Sequence, residues 1–95
     1  MSSGFSNVIE RHRKYRGWSI AELARRSNLA QPEVSRLVND VRTPTLRHVQ
    51  GLAEALSATT KKQPEGPESY DEWVALLVDL GQEARRSARA ARKAS

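Results

Sequence analysis

The sequence predicts an all-α fold of five helices. Three features of the 95 residues support this prediction. Apolar side chains recur at spacings of three and four residues, residue types that cap helices stand ahead of these stretches, and no segment alternates apolar and polar residues as a strand does. One small domain is also what a chain of this length can form, because a lone core becomes marginal below about 40 residues.

Two helices are predicted near the start of the chain. The first is amphipathic and ends at Gly17, and the second runs over residues 20–26. Ser19 is expected to cap the second helix, with Glu22 three residues later completing a capping box. The apolar face of the first helix consists of Phe5, Val8, Ile9 and His12.

The next two helices are separated from each other by a loop at residues 40–44. Asn28 tolerates the left-handed conformation that a tight turn needs, so the second helix ends there. Pro32 fits only the first turn of a helix, which places the start of the third helix near Gln31. Thr45 can cap a fourth helix. Its apolar stripe is Leu46, Val49, Leu52, Ala53 and Leu56.

A last helix, capped by Ser69, carries more apolar surface than one face of a small domain requires. The sequence therefore predicts three parts: a domain of four helices over residues 1–57, a linker over 58–69, and a helix with a basic tail over 70–95. The tail beyond Gly81 is compatible with helix, fraying or disorder. The residues expected to meet a second copy or another partner are Tyr70, Trp73, Val74, Leu77 and Leu80.

The composition favours a polyanionic partner. The net charge is +5 and the pI is 10.2. Residues 1–60 carry +4, residues 61–81 carry −3 and residues 82–95 carry +4. Lysine and arginine that neutralise phosphates gain affinity by releasing counterions, although ribosomal and membrane-surface proteins share such a charge.

Several classes of function find no support in the sequence. Cysteine is absent, and His12 and His48 stand without the neighbours that a metal site needs, so no metal or cofactor is expected. Nothing resembles a phosphate loop or a nucleophile elbow, so an enzyme is not expected. No apolar run approaches a membrane span or a signal segment, so a soluble, cytoplasmic protein is expected.

The segment from Ser19 to Asn39, SIAELARRSNLAQPEVSRLVN, has the pattern of two helices crossing at a sharp turn. Ala24 allows a close crossing, and Val34 fixes the second of the two helices beneath the first. The continuation DVRTPTLRHVQGLAEAL follows directly. Together, residues 8–56 resemble the lambda-repressor-like, XRE or phage-repressor/Cro family of helix-turn-helix domains. In the continuation the resemblance rests on Arg42, Pro44, Thr45, Leu46, Leu52, Ala53 and Leu56.

The resemblance implies that the third helix is a recognition helix lying in the major groove of double-stranded DNA. It makes Gln31, Glu33, Ser35 and Arg36 the base-contacting residues, since these side chains suit adenine, cytosine and guanine edges. It assigns phosphate contacts to Ser19, Asn39, Arg42, Thr43 and Arg47.

The function expected from the sequence is a sequence-specific transcription regulator, by default a repressor that binds an inverted repeat as a homodimer. An alternative is an antitoxin or anti-regulator whose last helix binds a different protein. Binding of RNA or single strands ranks last, because the chain lacks the interleaved aromatic residues that stack on bases.

Overall fold

The computed structural model describes residues 4–58, 67 and 69–94, with side chains as far as Arg86. These residues form five α-helices and no strand, which confirms the predicted all-α fold. The predicted linker falls mostly outside the described residues. The helices are α1 (Gly4–Tyr15), α2 (Ile20–Arg26), α3 (Gln31–Val38), α4 (Leu46–Ser57) and α5 (Tyr70–Ala94).

Helix α1 is tied to two other helices by buried polar side chains. The Ser6 hydroxyl donates to the Val38 carbonyl at the end of α3 over 2.5 Å. Arg16, just beyond α1, donates to the carbonyl of Leu56 near the end of α4 at 3.0 Å. Its guanidinium is almost completely buried, and this burial lowers the pKa of Arg16. These bonds lie in the last turns of α3 and α4, where helix carbonyls are commonly bonded by side chains.

Helix α2 begins with half of the predicted capping box. Ser19 Oγ accepts from the Glu22 N–H at 3.0 Å, which confirms the predicted cap. The Glu22 carboxylate, however, bonds to Arg25 at 2.5 Å and to Arg26 at 2.8 Å. The prediction of a reciprocal box at this site was therefore wrong, because two arginines one turn along the helix offer stronger, charged donors.

The C-terminal ends of α2 and α3 have the same geometry. Asn28 after α2 and Asp40 after α3 both have positive φ, 55° and 58°. After α2, the Leu29 N–H donates to the Ala24 carbonyl at 3.0 Å; after α3, the Val41 N–H donates to the Arg36 carbonyl at 2.9 Å. Both ends are Schellman motifs built on a residue other than glycine.

Helix α4 carries a capping box of unusual composition. Thr45 Oγ1 accepts from the His48 N–H, and His48 Nδ1 accepts from the Thr45 N–H at 3.0 Å. Histidine thus takes the position usually held by glutamate or glutamine. The predicted apolar stripe is confirmed except at Leu46, whose side chain is 60% exposed.

Helices α2 and α4 approach closely at Gly51. A Cβ at this position would lie 2.4 Å from the Ser27 carbonyl oxygen, which is backbone and has no rotamer to change. Only glycine fits between the two helices at this point.

Helix α5 closes the core instead of standing apart from it. Trp73 and Leu77 are fully buried in the same cluster as residues of α1 and α4. The Trp73 ring meets the His12 ring edge to face at 4.6 Å. The prediction that Trp73 and Leu77 form a partner interface is thereby corrected, since neither side chain reaches solvent. Tyr70 is 41% exposed, while Val74 and Leu80 are half-buried.

Candidate nucleic-acid interface

Helix α3 is held rigidly by its inner face. Val34 and Leu37 are essentially inaccessible to solvent, and Val38 is 8% exposed. Pro32 lies in the first turn, and the N-cap residue Ala30 makes no side-chain cap. Packing, rather than capping, therefore fixes the direction in which the outer side chains of α3 project.

Four residues on the outer side of α3 were predicted to contact bases. Gln31 and Arg36 are exposed, and Glu33 and Ser35 are half-buried. Among the described residues, none forms a hydrogen bond or ion pair with the Arg36 guanidinium. Its five N–H donors are thus available to a ligand.

Glu33 joins the front of α3 to the start of α4. Its Oε2 lies 3.0 Å from His48 Nε2 and 3.4 Å from Arg47 Nη1. The hydrogen bond with His48, with smaller contributions from the charges of Arg47 and Arg42, lowers the pKa of Glu33. The carboxylate is therefore ionised at neutral pH and sits within a basic surface.

The five residues predicted to contact phosphates are spread over four elements. Arg42 is exposed and Thr43 half-buried in the loop before α4, and the exposed Arg47 lies in the first turn of α4. Arg47 lies 3.4 Å from Glu33 Oε2, and the charge of Arg42 also helps to lower the pKa of Glu33. Asn39 Nδ2 donates back to the Ser35 carbonyl at 2.8 Å.

Ser19 lies at the start of α2. Between described residues, neither a hydrogen bond nor an ion pair links it with Glu33, Arg47 or His48. Its Oγ accepts the Glu22 N–H. The hydroxyl proton remains as a donor, which is what a phosphate oxygen would need.

Helix α5 supports the loop that carries Arg42 and Thr43. Arg85 donates to the Pro44 carbonyl at 2.7 Å. Beside this bond lies a small apolar groove of about 100 Å³. Its lining residues are Pro44, Leu46, Val49, Leu77, Val78, Gly81, Gln82 and Arg85.

Sequence reasoning missed two residues of this region. His48 was set aside as a metal ligand, yet the spacing Thr45-x-x-His48 matches a capping box once histidine is allowed at its last position. Arg85 carried no local signal, because its contact with Pro44 spans 41 residues of sequence.

Within residues 4–58, 67 and 69–94, no cluster of histidine, aspartate or glutamate is arranged to hold a metal ion. No described helix combines the length and the apolar character that crossing a membrane requires.

The fold and this surface define a helix-turn-helix protein, with α2 and α3 as the motif. Comparison with protein families agrees: a helix-turn-helix family model matches residues 9–61, more than half of the chain. Searches of curated proteins and of solved structures found no match.

The chain belongs to the lambda-repressor/XRE-type helix-turn-helix family. It is a DNA-binding transcription regulator of this type. The family model ends at residue 61, whereas the core of this chain continues into α5.

Proposed function

We propose that the protein is a repressor that binds an inverted-repeat operator as a homodimer. In this proposal the two copies of α3 lie in successive major grooves about 34 Å apart, and binding occludes the promoter. The observation that carries the proposal is Arg36, an exposed arginine on a helix fixed by its buried face.

Base reading is assigned to Gln31, Glu33, Ser35 and Arg36. Arg36 is the main determinant, because an unpaired guanidinium can bond to guanine O6 and N7 together, which discriminates between bases by about 1–3 kcal/mol. Ser19, Asn39, Arg42, Thr43 and Arg47 are assigned to phosphates and set the position of α3 in the groove.

The homodimer contact is assigned to the outer face of α5. Tyr70 supports this, since it is a large aromatic residue left 41% exposed at the first position of the helix. Val74, one turn further on, is half-buried. With Trp73 and Leu77 committed to the core, Tyr70, Val74 and Leu80 are the predicted residues of α5 that a second copy would bury.

The proposal is tested by selecting binding sites from a randomised pool of double-stranded DNA, with the full chain as wild type and as Arg36→Ala. Lys14→Ala is the matched control, because it also removes one exposed positive charge but lies on α1. The wild type and Lys14→Ala should recover the same inverted repeat, and Arg36→Ala should lose the preference at one base pair of each half-site. Salt-sensitive binding without any sequence preference would contradict the assignment of α3.

The dimer is tested with Tyr70→Glu, which places a negative charge on the proposed contact. The substitution should not unfold the chain, because Tyr70 lies at the surface and an acidic residue suits the first turn of a helix. Sedimentation of the wild type should show a dimer on DNA, and Tyr70→Glu should bind the two half-sites independently. Unchanged cooperativity would place the contact elsewhere.

A further inference from the structure

Glu33 of α3 and His48 of α4 form a pair that connects the recognition helix to the capping box of the next helix. Their side chains meet between Oε2 and Nε2 at 3.0 Å. The other ring nitrogen of His48 lies 3.0 Å from the backbone nitrogen of Thr45. The imidazole therefore spans the two helices and is bonded at both ends.

The position of the proton on His48 follows from these two contacts. A backbone N–H can only donate, so Nδ1 accepts from the Thr45 N–H and carries a lone pair; the Thr45 hydroxyl, 3.1 Å from the same nitrogen, is then a second donor to it. The proton of the neutral ring is then on Nε2, which donates to the Glu33 carboxylate. The capping bond thus selects the tautomer that can hold Glu33.

Burial makes this arrangement rigid. His48 is 1% exposed, so its ring has no room to turn away. Arg47, the other partner of Oε2, has a side chain that is 67% exposed and lies farther away, at 3.4 Å. The orientation of the carboxylate is therefore set chiefly by His48. Oε1 takes part in neither contact.

A carboxylate held at the front of a recognition helix can read only one kind of base edge. It accepts hydrogen bonds and donates none, and the donors of the major groove are the exocyclic amino groups of cytosine and adenine. Repulsion from the phosphates is offset by Arg47 and Arg42, whose charges act on Glu33.

We propose that His48 is a positioning residue that fixes the Glu33 carboxylate so that Oε1 reads an exocyclic amino group in the operator. The proposal rests on the proposed function, in which α3 lies in the major groove. It adds a buried residue of α4, without contact to DNA, as a determinant of sequence specificity.

Two substitutions test the bond from His48 to Glu33. His48→Asn places an amide oxygen near the position of Nδ1, so it can still accept from Thr45 but no longer reaches Glu33. His48→Gln is the rescue variant: its amide N–H lies near the position of Nε2 and restores the donor to Glu33, and glutamine is also a usual residue at this position of a capping box. Both variants are compared with wild type, Glu33→Ala and Lys14→Ala by binding-site selection and thermal unfolding.

His48→Asn and Glu33→Ala should lose about fivefold in preference at the same base pair, the equivalent of one hydrogen bond. His48→Gln should keep that preference. Lys14→Ala should behave as wild type. If His48→Asn keeps the full preference, or if Glu33→Ala does, His48 does not position a base-reading group.

A second measurement holds even if a His48 variant fails to fold. Nitrogen-15 chemical shifts of the wild-type histidine rings should place the His48 proton on Nε2, and a proton on Nδ1 would overturn the proposal. A wild type that selects no sequence refutes the proposed function and this inference together. A wild type that selects an operator, with no loss of preference in His48→Asn, refutes this inference alone.

Discussion

Pro44, in the loop before α4, rests on Gly81 of α5. A Cβ added to Gly81 would lie 3.0 Å from the Pro44 Cγ atom. One turn further along α5, Arg85 holds the carbonyl of the same proline. The last helix therefore supports, from behind, the loop whose arginine and threonine are assigned to phosphates.

Removal of the Arg85 side chain should loosen this loop. Arg85→Ala leaves the Pro44 carbonyl without its donor and should cost about 1–2 kcal/mol of stability. It should also lower the affinity for DNA by more than the removal of one positive charge alone does. Arg86→Ala is the matched control, since Arg86 is an exposed neighbour that contributes the same charge. Fluorescence anisotropy with one operator and urea unfolding measure both effects. Equal behaviour of the two variants would mean that α5 acts on DNA only through its charge.

Gly51→Ala should destabilise the crossing of α2 and α4. The new methyl group would meet the Ser27 carbonyl oxygen at 2.4 Å, and overpacking of this kind costs about 1–3 kcal/mol. Gln50→Ala, a substitution at the exposed neighbouring position, should leave the stability nearly unchanged. Thermal unfolding of the two variants provides the comparison, and a Gly51→Ala protein as stable as wild type would show that the helices can move apart freely.

Two buried serines should respond to alanine in opposite directions. Ser6 donates to the Val38 carbonyl, so Ser6→Ala leaves that carbonyl unsatisfied and should lower the free energy of unfolding by about 1–2 kcal/mol. Ser27 Oγ is buried and has no partner among the described residues, so Ser27→Ala should raise the free energy of unfolding by up to about 1 kcal/mol. Urea unfolding of both variants tests the pair. A loss of stability in Ser27→Ala would show that the hydroxyl has a partner, such as a buried water.

Acid should destabilise the fold through His12. Burial, followed by the charges of Arg16 and Arg11, lowers the pKa of His12 to about 4. The unfolded chain, with an ordinary histidine pKa of about 6.5, binds the proton more readily below that pH. Stability should therefore fall as the pH drops below 6.5, by about 2 kcal/mol between pH 7 and pH 5.

The matched variant for this prediction is His12→Asn, which keeps an acceptor near the position of Nδ1 and does not titrate. Urea unfolding at pH 7, 6 and 5 should show the decline in wild type and little of it in the variant. The carboxylates titrate mostly below this range, which separates their contribution. If the free energy of unfolding falls equally in both proteins, protonation of His12 is not the cause of the decline.

Local signals in the sequence were sufficient for most of the fold. Ser19, Thr45 and Asn28 act within one helical turn of their own positions, and the structure confirms all three. The same reliance on local spacing explains the wrong prediction for the Glu22 side chain. The choice of Glu22 between a backbone N–H and two arginines is a competition that spacing alone does not decide.

The parts that could not be predicted depend on contacts between distant residues. The apolar surface of α5 was correctly identified, but burial of Trp73 against His12 requires the arrangement of α1 and α5 to be known. The Glu33–His48 pair likewise joins positions 15 residues apart on two helices. A sequence pattern gives the face of each helix, whereas tertiary packing decides which neighbour covers it.

Because Trp73 and Leu77 complete the core, the segment that matches the family contains only part of the core of this protein. A chain cut after residue 61 would lack the Trp73 ring that packs against His12. We expect such a fragment to lose DNA binding through loss of stability, not through a missing partner contact. Transplanting the specificity of this regulator into another protein would accordingly require α5 to travel with the motif.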